Sequence, residues 1–134
     1  MTIKKNDLKF KIVHNHEKYH EFMRLLRNDS RVKKGFIEQK KVTKDQQKKY
    51  MKKFGKNYFI CLINEKPAGY IGVIENDIRV ATHPDFQGKG VALFMAKFIK
   101  KKFKNAQAKI KVENTASLKL FKKAGFKLKY YLYE

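Results

Sequence analysis

The stretch 82–92 carries two glycines within three residues, Gly88 and Gly90, between a predicted strand and a predicted helix. Glycines let several backbone N–H groups converge on one anion, and the positive end of the helix dipole adds attraction for phosphate. The pattern therefore predicts a pyrophosphate-binding loop formed by Gln87, Gly88, Lys89, Gly90, Val91 and Ala92. The loop is too short for a Walker A sequence and lacks the third glycine of a Rossmann fingerprint. By its physics alone, it could also bind a nucleotide or merely close a turn.

A second pattern lies downstream, where Asn114 and Ser117 are followed by Phe121 and then by Gly125-Phe126. Together with the loop at 87–92, this order resembles the GNAT acetyltransferase family, whose patterns are Q/R-x-x-G-x-G/A and N-x-x-A/S-x-x-x-Y-x-x-x-G-F. The resemblance covers residues 58–134 at unbroken spacing, whereas the first half agrees only in its order of elements. Two patterns in the correct order are far more specific than either one alone.

The resemblance implies that acetyl-CoA is the acyl donor and assigns residues to its parts. Backbone groups around Val80, Ala81 and Thr82 would hydrogen-bond the thioester carbonyl and the pantetheine arm, with an N–H aimed at the developing oxyanion. Residues 87–92 would bind the pyrophosphate. Asn114 would contact the pantetheine arm and Ser117 the phosphate end, although Asn114 is equally well placed as a helix N-cap.

The acid and the base are less defined by this resemblance. Many family members have a tyrosine at the position of Phe121, and this tyrosine protonates the leaving thiolate. Phenylalanine cannot donate a proton, so a water or another hydroxyl would replace it, or the thiolate would leave unassisted. The turn at 75–77 supplies Glu75 and Asp77 as candidate bases for a substrate ammonium. A solvated hairpin turn is the alternative interpretation of both residues.

The elements that must position these residues follow from hydrophobic periodicity. We predict strands at 8–13, 58–63, 67–74, 78–82, 108–112 and 126–133. We predict helices at 16–28, 43–54, 88–103 and 114–124, the second of which opens on a capping box from Thr43 to Gln46. The order β-α-α-β-β-β-α-β-α-β predicts a mixed α+β (α/β) fold, in which a central mixed sheet of about six strands is flanked by four helices. One domain covers 1–134.

The charge is strongly positive, with 33 Lys plus Arg against 12 Asp plus Glu and a formal net charge of +21. Such a surplus can indicate a nucleic-acid or membrane partner. However, the cations are mostly lysines, and no RNP-like pattern of aromatic residues accompanies them. A lysine-heavy coding bias, or affinity for anionic substrates such as CoA, explains the charge. We therefore expect neither a nucleic-acid partner nor a membrane partner.

Cys61 is the only cysteine, and with four histidines it forms no zinc-binding spacing. We expect no metal and no disulfide. No apolar run reaches the roughly 18 residues of a membrane span, and the first residues lack a signal-peptide core. These features predict a cytoplasmic protein.

The leading hypothesis for function is transfer of an acetyl group from acetyl-CoA to a primary amine by direct attack, without a covalent enzyme intermediate. The acceptor would be a small-molecule amine that could itself be anionic, and a faint similarity in 31–50 favours a nucleotide-linked amino sugar. Acetylation of protein N-termini or ribosomal proteins is one alternative, and a non-catalytic CoA-binding regulatory domain is another. Since few residues follow Gly125-Phe126, an exposed sheet edge and a homodimer across it are a further hypothesis.

Overall fold

The computed structural model describes residues 8–134. Its strands are β1 (Phe10–His14), β2 (Tyr58–Ile63), β3 (Lys66–Ile74) and β4 (Asp77–Thr82). Its α-helices are α1 (His20–Asn28), α2 (Ser30–Lys33), α3 (Lys44–Phe54), α4 (Val91–Lys102) and α5 (Thr115–Lys123). Short 3₁₀ turns lie at Glu17–Tyr19, Gly55–Asn57 and Pro84–Phe86.

The four strands form one antiparallel sheet in chain order, β1-β2-β3-β4. The predicted hairpin between β2 and β3 is confirmed, and its turn places Asn64 and Glu65 at positive φ. The turn between β3 and β4 does the same at Glu75 and Asn76. Two consecutive residues of positive φ give the tight turn whose twist matches that of the paired strands.

Both faces of the sheet are covered, so every residue of β2 is buried. Phe59, Cys61 and Ile63 belong to the apolar cluster that α4 and α5 complete. The alternate residues of β2 pack with α1, α2 and α3 on the opposite face. Because successive side chains of a strand point to opposite faces, the continuous apolar run of β2 is what a three-layer arrangement requires.

The capping box at the start of α3 is confirmed. Gln46 N donates to Thr43 Oγ1 at 3.1 Å, and Thr43 N donates to Gln46 Oε1 at 2.9 Å. Asp29 caps the short helix α2, which the sequence did not predict, by accepting from Arg31 N at 2.8 Å. The predicted first helix begins with a 3₁₀ turn rather than an α-helix.

The predicted α+β class is confirmed, but the prediction of a mixed sheet of about six strands with four helices was wrong, because residues 8–134 contain an antiparallel sheet of four strands and five α-helices. The predicted strand at 108–112 does not form, and a single parallel bridge joins Asp77 to Gln107 just before this segment. The predicted strand at 126–133 does not form either, and Leu128 and Tyr130 to Tyr133 are exposed. Alternating apolar residues make a strand only where a neighbouring strand accepts their hydrogen bonds, and no strand within residues 8–134 does so for these two segments.

Within residues 8–134, no helix combines the length and the apolar character that crossing a membrane would require.

Candidate functional site

A cleft of about 900 Å³ opens where β4 and the following chain separate. Ile78 N donates to Gln107 O at 2.9 Å, and this contact holds the two segments together at one end. Beyond it, residues 80–82 line one wall and residues 108–111 line the other. The separation that abolishes the predicted strand at 108–112 therefore creates the cleft.

The exposed edge of β4 presents backbone donors to this cleft. His83 N donates to Ala68 O of β3 at 2.8 Å, whereas Ile78 N donates in the opposite direction, toward Gln107. Backbone groups of successive residues point to opposite edges of a strand. The N–H groups of Val80 and Thr82 thus face the same edge as that of Ile78, into the cleft. Two amides on one wall can stabilise a developing negative charge.

The loop before α4 approaches the cleft in a conformation that favours glycine. Gly88 has φ 78° and Gly90 has φ 88°, both in the left-handed region. A Cβ atom on Gly88 would meet no atom within 4 Å, so its backbone angle and not lack of space explains the glycine. Five of the six predicted loop residues line the cleft, and Lys89 does not; the five are Gln87, Gly88, Gly90, Val91 and Ala92.

The helices α4 and α5 both begin at the cleft. Phe94 N donates to Gly90 O at 3.0 Å in the first turn of α4, so the N–H groups of the preceding residues have no partner within the helix. In α5, Asn114 Oδ1 accepts from Ser117 N at 3.2 Å, which makes Asn114 the N-cap, and both residues line the cleft. Two helix N-termini that open on one cleft favour anionic groups there.

Phe121 lies on the cleft wall, where it is 5% exposed and packs edge-on against Phe126 at 5.3 Å between ring centroids. The position that would carry a proton-donating tyrosine is therefore apolar. Tyr70, on β3, is a tyrosine that does line the cleft. Burial raises the pKa of Tyr70 to about 12, opposed by the nearby charge of Arg27, so its hydroxyl stays protonated at neutral pH.

The two candidate bases occupy different places. Glu75 is exposed in the turn between β3 and β4 and does not line the cleft. Asp77 does line it, and its Oδ2 accepts from Arg79 Nε at 2.7 Å. The other oxygen, Oδ1, is buried and has no hydrogen-bond partner among the described residues. Of the two candidate bases, Asp77 therefore belongs to the cleft lining, and Glu75 does not.

A second cavity, of about 280 Å³, adjoins the cleft between α1, α3 and the segment 38–42. The two spaces share Arg27, Glu38 and Tyr70 as lining residues. On its floor the hydroxyls of Tyr50 and Tyr58 lie 2.6 Å apart. Sequence reasoning missed this cavity. One signal was available, since Arg27 follows the buried Met23 by four residues and so lies on the same helix face.

Neither a metal cluster nor an accessible thiol occurs in residues 8–134. No group of three or more His, Cys, Asp or Glu side chains is placed to hold a metal ion in this part of the chain. Cys61 is 1% exposed, and burial raises the pKa of its thiol to about 12. A thiol of that pKa is a poor nucleophile at neutral pH.

The fold of this chain is similar to the folds of several solved structures. The structure of a domain from Methanocaldococcus jannaschii is 22% identical, with a TM-score of 0.78 over 90% of each chain. Spermidine N-acetyltransferase from Vibrio cholerae, in complex with CoA and spermine, is 18% identical, with a TM-score of 0.76 over 95% of this chain and 85% of that chain. Ribosomal-protein-alanine N-acetyltransferase from Brucella melitensis is 16% identical, with a TM-score of 0.71 over 87% of this chain and 84% of that chain.

These solved structures share the fold. Comparison with curated protein sequences gave no match. The sequence model of the acetyltransferase (GNAT) family matches residues 19–126, which include α1 to α5 and the whole cleft. The chain therefore belongs to the GNAT acetyltransferase family.

Proposed function

We propose that the protein transfers an acetyl group from acetyl-CoA to a primary amine by direct attack on the thioester. The observation that carries the proposal is the convergence of two helix N-termini and the free edge of β4 on one cleft. Acetyl-CoA has an anionic pyrophosphate and a thioester carbonyl, and these two parts need the two kinds of donor that the cleft provides.

Each part of acetyl-CoA has matching residues in this proposal. The backbone around Val80, Ala81 and Thr82 binds the thioester carbonyl and the pantetheine arm. Residues 87–92 bind the pyrophosphate, and all of them except Lys89 line the cleft. Asn114 contacts the pantetheine arm, and Ser117 the phosphate end.

The reaction needs one proton acceptor and one proton donor. The Asp77 carboxylate, which belongs to the cleft lining, accepts a proton from the substrate ammonium, directly or through a water. The neutral amine then attacks the thioester carbon, and the N–H groups of Val80 and Thr82 stabilise the oxyanion. The C–S bond breaks, the nitrogen of the intermediate gives up its second proton, and this proton reaches the CoA thiolate through water or a hydroxyl in the cleft, because Phe121 cannot supply one.

The acceptor is a small amine, and a nucleotide-linked amino sugar is the preferred candidate. The similarity in 31–50 falls on the segment that lines the second cavity. Acetylation of protein N-termini or ribosomal proteins is the rival, and the fold that this chain shares with the ribosomal-protein-alanine N-acetyltransferase supports it. A groove lined by acidic side chains would favour a basic peptide, but the cavity lining contains three basic residues and one acidic residue.

A proposal of another class is a CoA-binding regulatory domain without catalysis. The buried Phe121 at the position of the usual acid is the observation that favours it. This reading predicts that acetyl-CoA binds but that no thiol is released.

One experiment tests both readings. The purified protein is mixed with acetyl-CoA and a panel of amines, namely nucleotide-linked amino sugars, polyamines, aminoglycosides and N-terminal peptides, and free CoA thiol is measured. Amine-dependent release establishes the transferase. Calorimetric binding of acetyl-CoA without release, abolished by Gly90→Trp, would support the regulatory domain instead.

The proposal also includes a homodimer and a cytoplasmic location. Residues 128–133 expose Leu128, Tyr130, Tyr131, Leu132 and Tyr133, and a second copy of the chain is a partner that could bury them. Light scattering after size-exclusion chromatography tests the homodimer, and a clean monomer at high protein concentration would refute it.

The cytoplasmic location is supported by the single cysteine of the sequence, which cannot form a disulfide within the chain.

A further inference from the structure

The second cavity has an uneven distribution of charge. Its lining contains the cations of Arg27, Lys40 and Lys41, and among the described residues only Glu38 brings a carboxylate to it. A polyamine or an aminoglycoside carries several positive charges and would need acidic partners in such a space. The lining therefore disfavours polycationic acceptors and favours an acceptor that carries negative charge.

Arg27 differs from the three other arginines of the chain. Arg24, Arg31 and Arg79 each form an ion pair with a carboxylate, at Glu21, Asp29 and Asp77 respectively. Within residues 8–134, no carboxylate lies within ion-pair distance of Arg27. Its Nε is buried and has no hydrogen-bond partner in that part of the chain. The Tyr70 hydroxyl lies within hydrogen-bonding reach of the guanidinium, but Nε stays without a partner, and an acceptor atom from a ligand would satisfy it.

The position of Arg27 suits recognition of a planar or tetrahedral anion. Its guanidinium lies 5.8 Å from the centre of the Phe36 ring, which restricts the side chain. The residue lies in the last turn of α1, where the helix dipole favours a cation. Arg27 also lines both the cavity and the cleft, so an anion bound to it lies beside the space for the acetyl donor. A guanidinium binds carboxylate and phosphate through two parallel hydrogen bonds.

We propose that Arg27 binds an anionic group of the acceptor, a carboxylate or a phosphate, and thereby selects anionic amines over neutral and polycationic ones. This inference rests on the proposed function, since it assigns the acceptor of the same transfer. The amine of the bound acceptor then extends toward the edge of β4, while the anion stays at the junction of the two spaces.

The test measures acceptor binding apart from catalysis, with the protein saturated by CoA. Calorimetry compares matched amines: glucosamine 6-phosphate with glucosamine for the phosphate arm, β-alanine with its amide for the carboxylate arm, and spermidine as the polycation. We expect one anionic member to bind about 10- to 100-fold more tightly than its neutral partner, the range expected for a hydrogen-bonded charge pair. The arm that shows this preference identifies the anion.

The variant Arg27→Gln should remove the preference and leave the dissociation constant of the neutral amine within about twofold of wild type. Arg27→Lys should restore part of it, because the charge returns without the two-pronged geometry. Arg24→Gln is the matched control on the same helix, since Arg24 lines neither space, and it should preserve the preference. Binding of CoA to each variant confirms that the fold persists.

The wild-type protein alone can overturn the inference. It would do so if the anionic and neutral amines bound equally in both arms, or if spermidine bound more tightly than the anionic amines. An undiminished preference in Arg27→Gln would overturn it as well. If anionic amines bind selectively but no thiol is released from acetyl-CoA, the inference about Arg27 holds and the proposed catalytic function fails. The two proposals therefore fail on different measurements.

Discussion

Asp77 Oδ2 accepts a hydrogen bond from Arg79 Nε at 2.7 Å, while Asp77 Oδ1 remains buried without a partner among the described residues. If the Asp77 carboxylate receives the proton of the acceptor, Asp77→Asn should lower kcat by about 100-fold or more, as for loss of a general base. Affinity for acetyl-CoA should stay within about twofold, because the amide keeps the size of the side chain. The rate of CoA-thiol release measures kcat, and calorimetry measures the affinity for acetyl-CoA.

Glu75→Gln is the control for this prediction, since Glu75 belongs to the adjoining turn but is exposed and lies outside the cleft lining. It should leave kcat and the affinity for acetyl-CoA unchanged. Equal losses in the two variants would assign the effect to the turn, and a loss confined to Glu75→Gln would move the role of base to that residue.

The loop before α4 should be sensitive to a single methyl group at Gly90. Its φ of 88° is costly for any residue with a Cβ atom, on the order of 1–2 kcal/mol for alanine. Relief of this strain would shift the backbone that presents N–H groups to the pyrophosphate. We expect Gly90→Ala to weaken acetyl-CoA binding by about 5- to 30-fold in a calorimetric titration.

Gly55→Ala provides the comparison. Gly55 has φ −53°, which alanine adopts readily, and an added Cβ would make only ordinary contacts at 3.8 Å. Its acetyl-CoA affinity should match that of the wild type. If Gly90→Ala also bound acetyl-CoA normally, the pyrophosphate would not depend on the conformation of this loop.

Alkylation and substitution of Cys61 distinguish direct attack from a mechanism with a covalent acyl-enzyme intermediate. Because burial raises the pKa of its thiol to about 12, the folded protein should resist iodoacetamide at pH 8, whereas the protein in urea should react at once. Cys61→Ala should retain kcat within about twofold and lose on the order of 1 kcal/mol of unfolding free energy to the small cavity it creates. Loss of turnover with intact acetyl-CoA binding would instead point to an acyl-enzyme.

The sequence predicted well those elements whose partners are close in the chain. The hairpins β2-β3 and β3-β4 follow from alternating apolar residues and short polar turns, and the start of α3 follows from Thr43 and Gln46 alone. The segments 108–112 and 126–133 have the same alternation, but a strand also needs a partner across space. That partner depends on where β4 and the later chain diverge, and local pattern carries no such information.

Prediction from the sequence was limited in the same way for the residues that would bind the acceptor. The glycines of the loop and the N-cap Asn114 could be predicted from the sequence, because the local backbone geometry restricts which residue types fit there. Arg27 resembles any surface cation in the sequence, and its lack of an ion pair with residues 8–134 appears only when α1 is packed against β3 and the segment 36–42. Long-range packing, rather than residue type, therefore distinguishes it from Arg24 one turn earlier.

The ionisation of the Asp29 carboxyl makes the stability of the folded protein depend on pH. Hydrogen bonds from Arg31, first from its side chain and then from its backbone N–H, lower the pKa of Asp29 from 3.8 to about 2. A carboxyl whose pKa is lower in the folded state stabilises that state above the unfolded pKa and loses this contribution as pH falls toward the folded pKa. The contribution should thus be constant above about pH 5 and decline between pH 4 and pH 2.

The variant Asp29→Asn keeps a good N-cap and removes only the charge, so it isolates this effect. We expect its urea midpoint to lie below that of the wild type at pH 7 and the difference to shrink as the pH falls from 4 to 3. Carboxyl-detected NMR titration should give an Asp29 pKa near 2 in the wild type and a higher value in Arg31→Gln. A gap in urea midpoints that stays constant down to pH 3, or an Asp29 pKa near 3.8 in the wild type, would show that Arg31 does not stabilise the carboxylate.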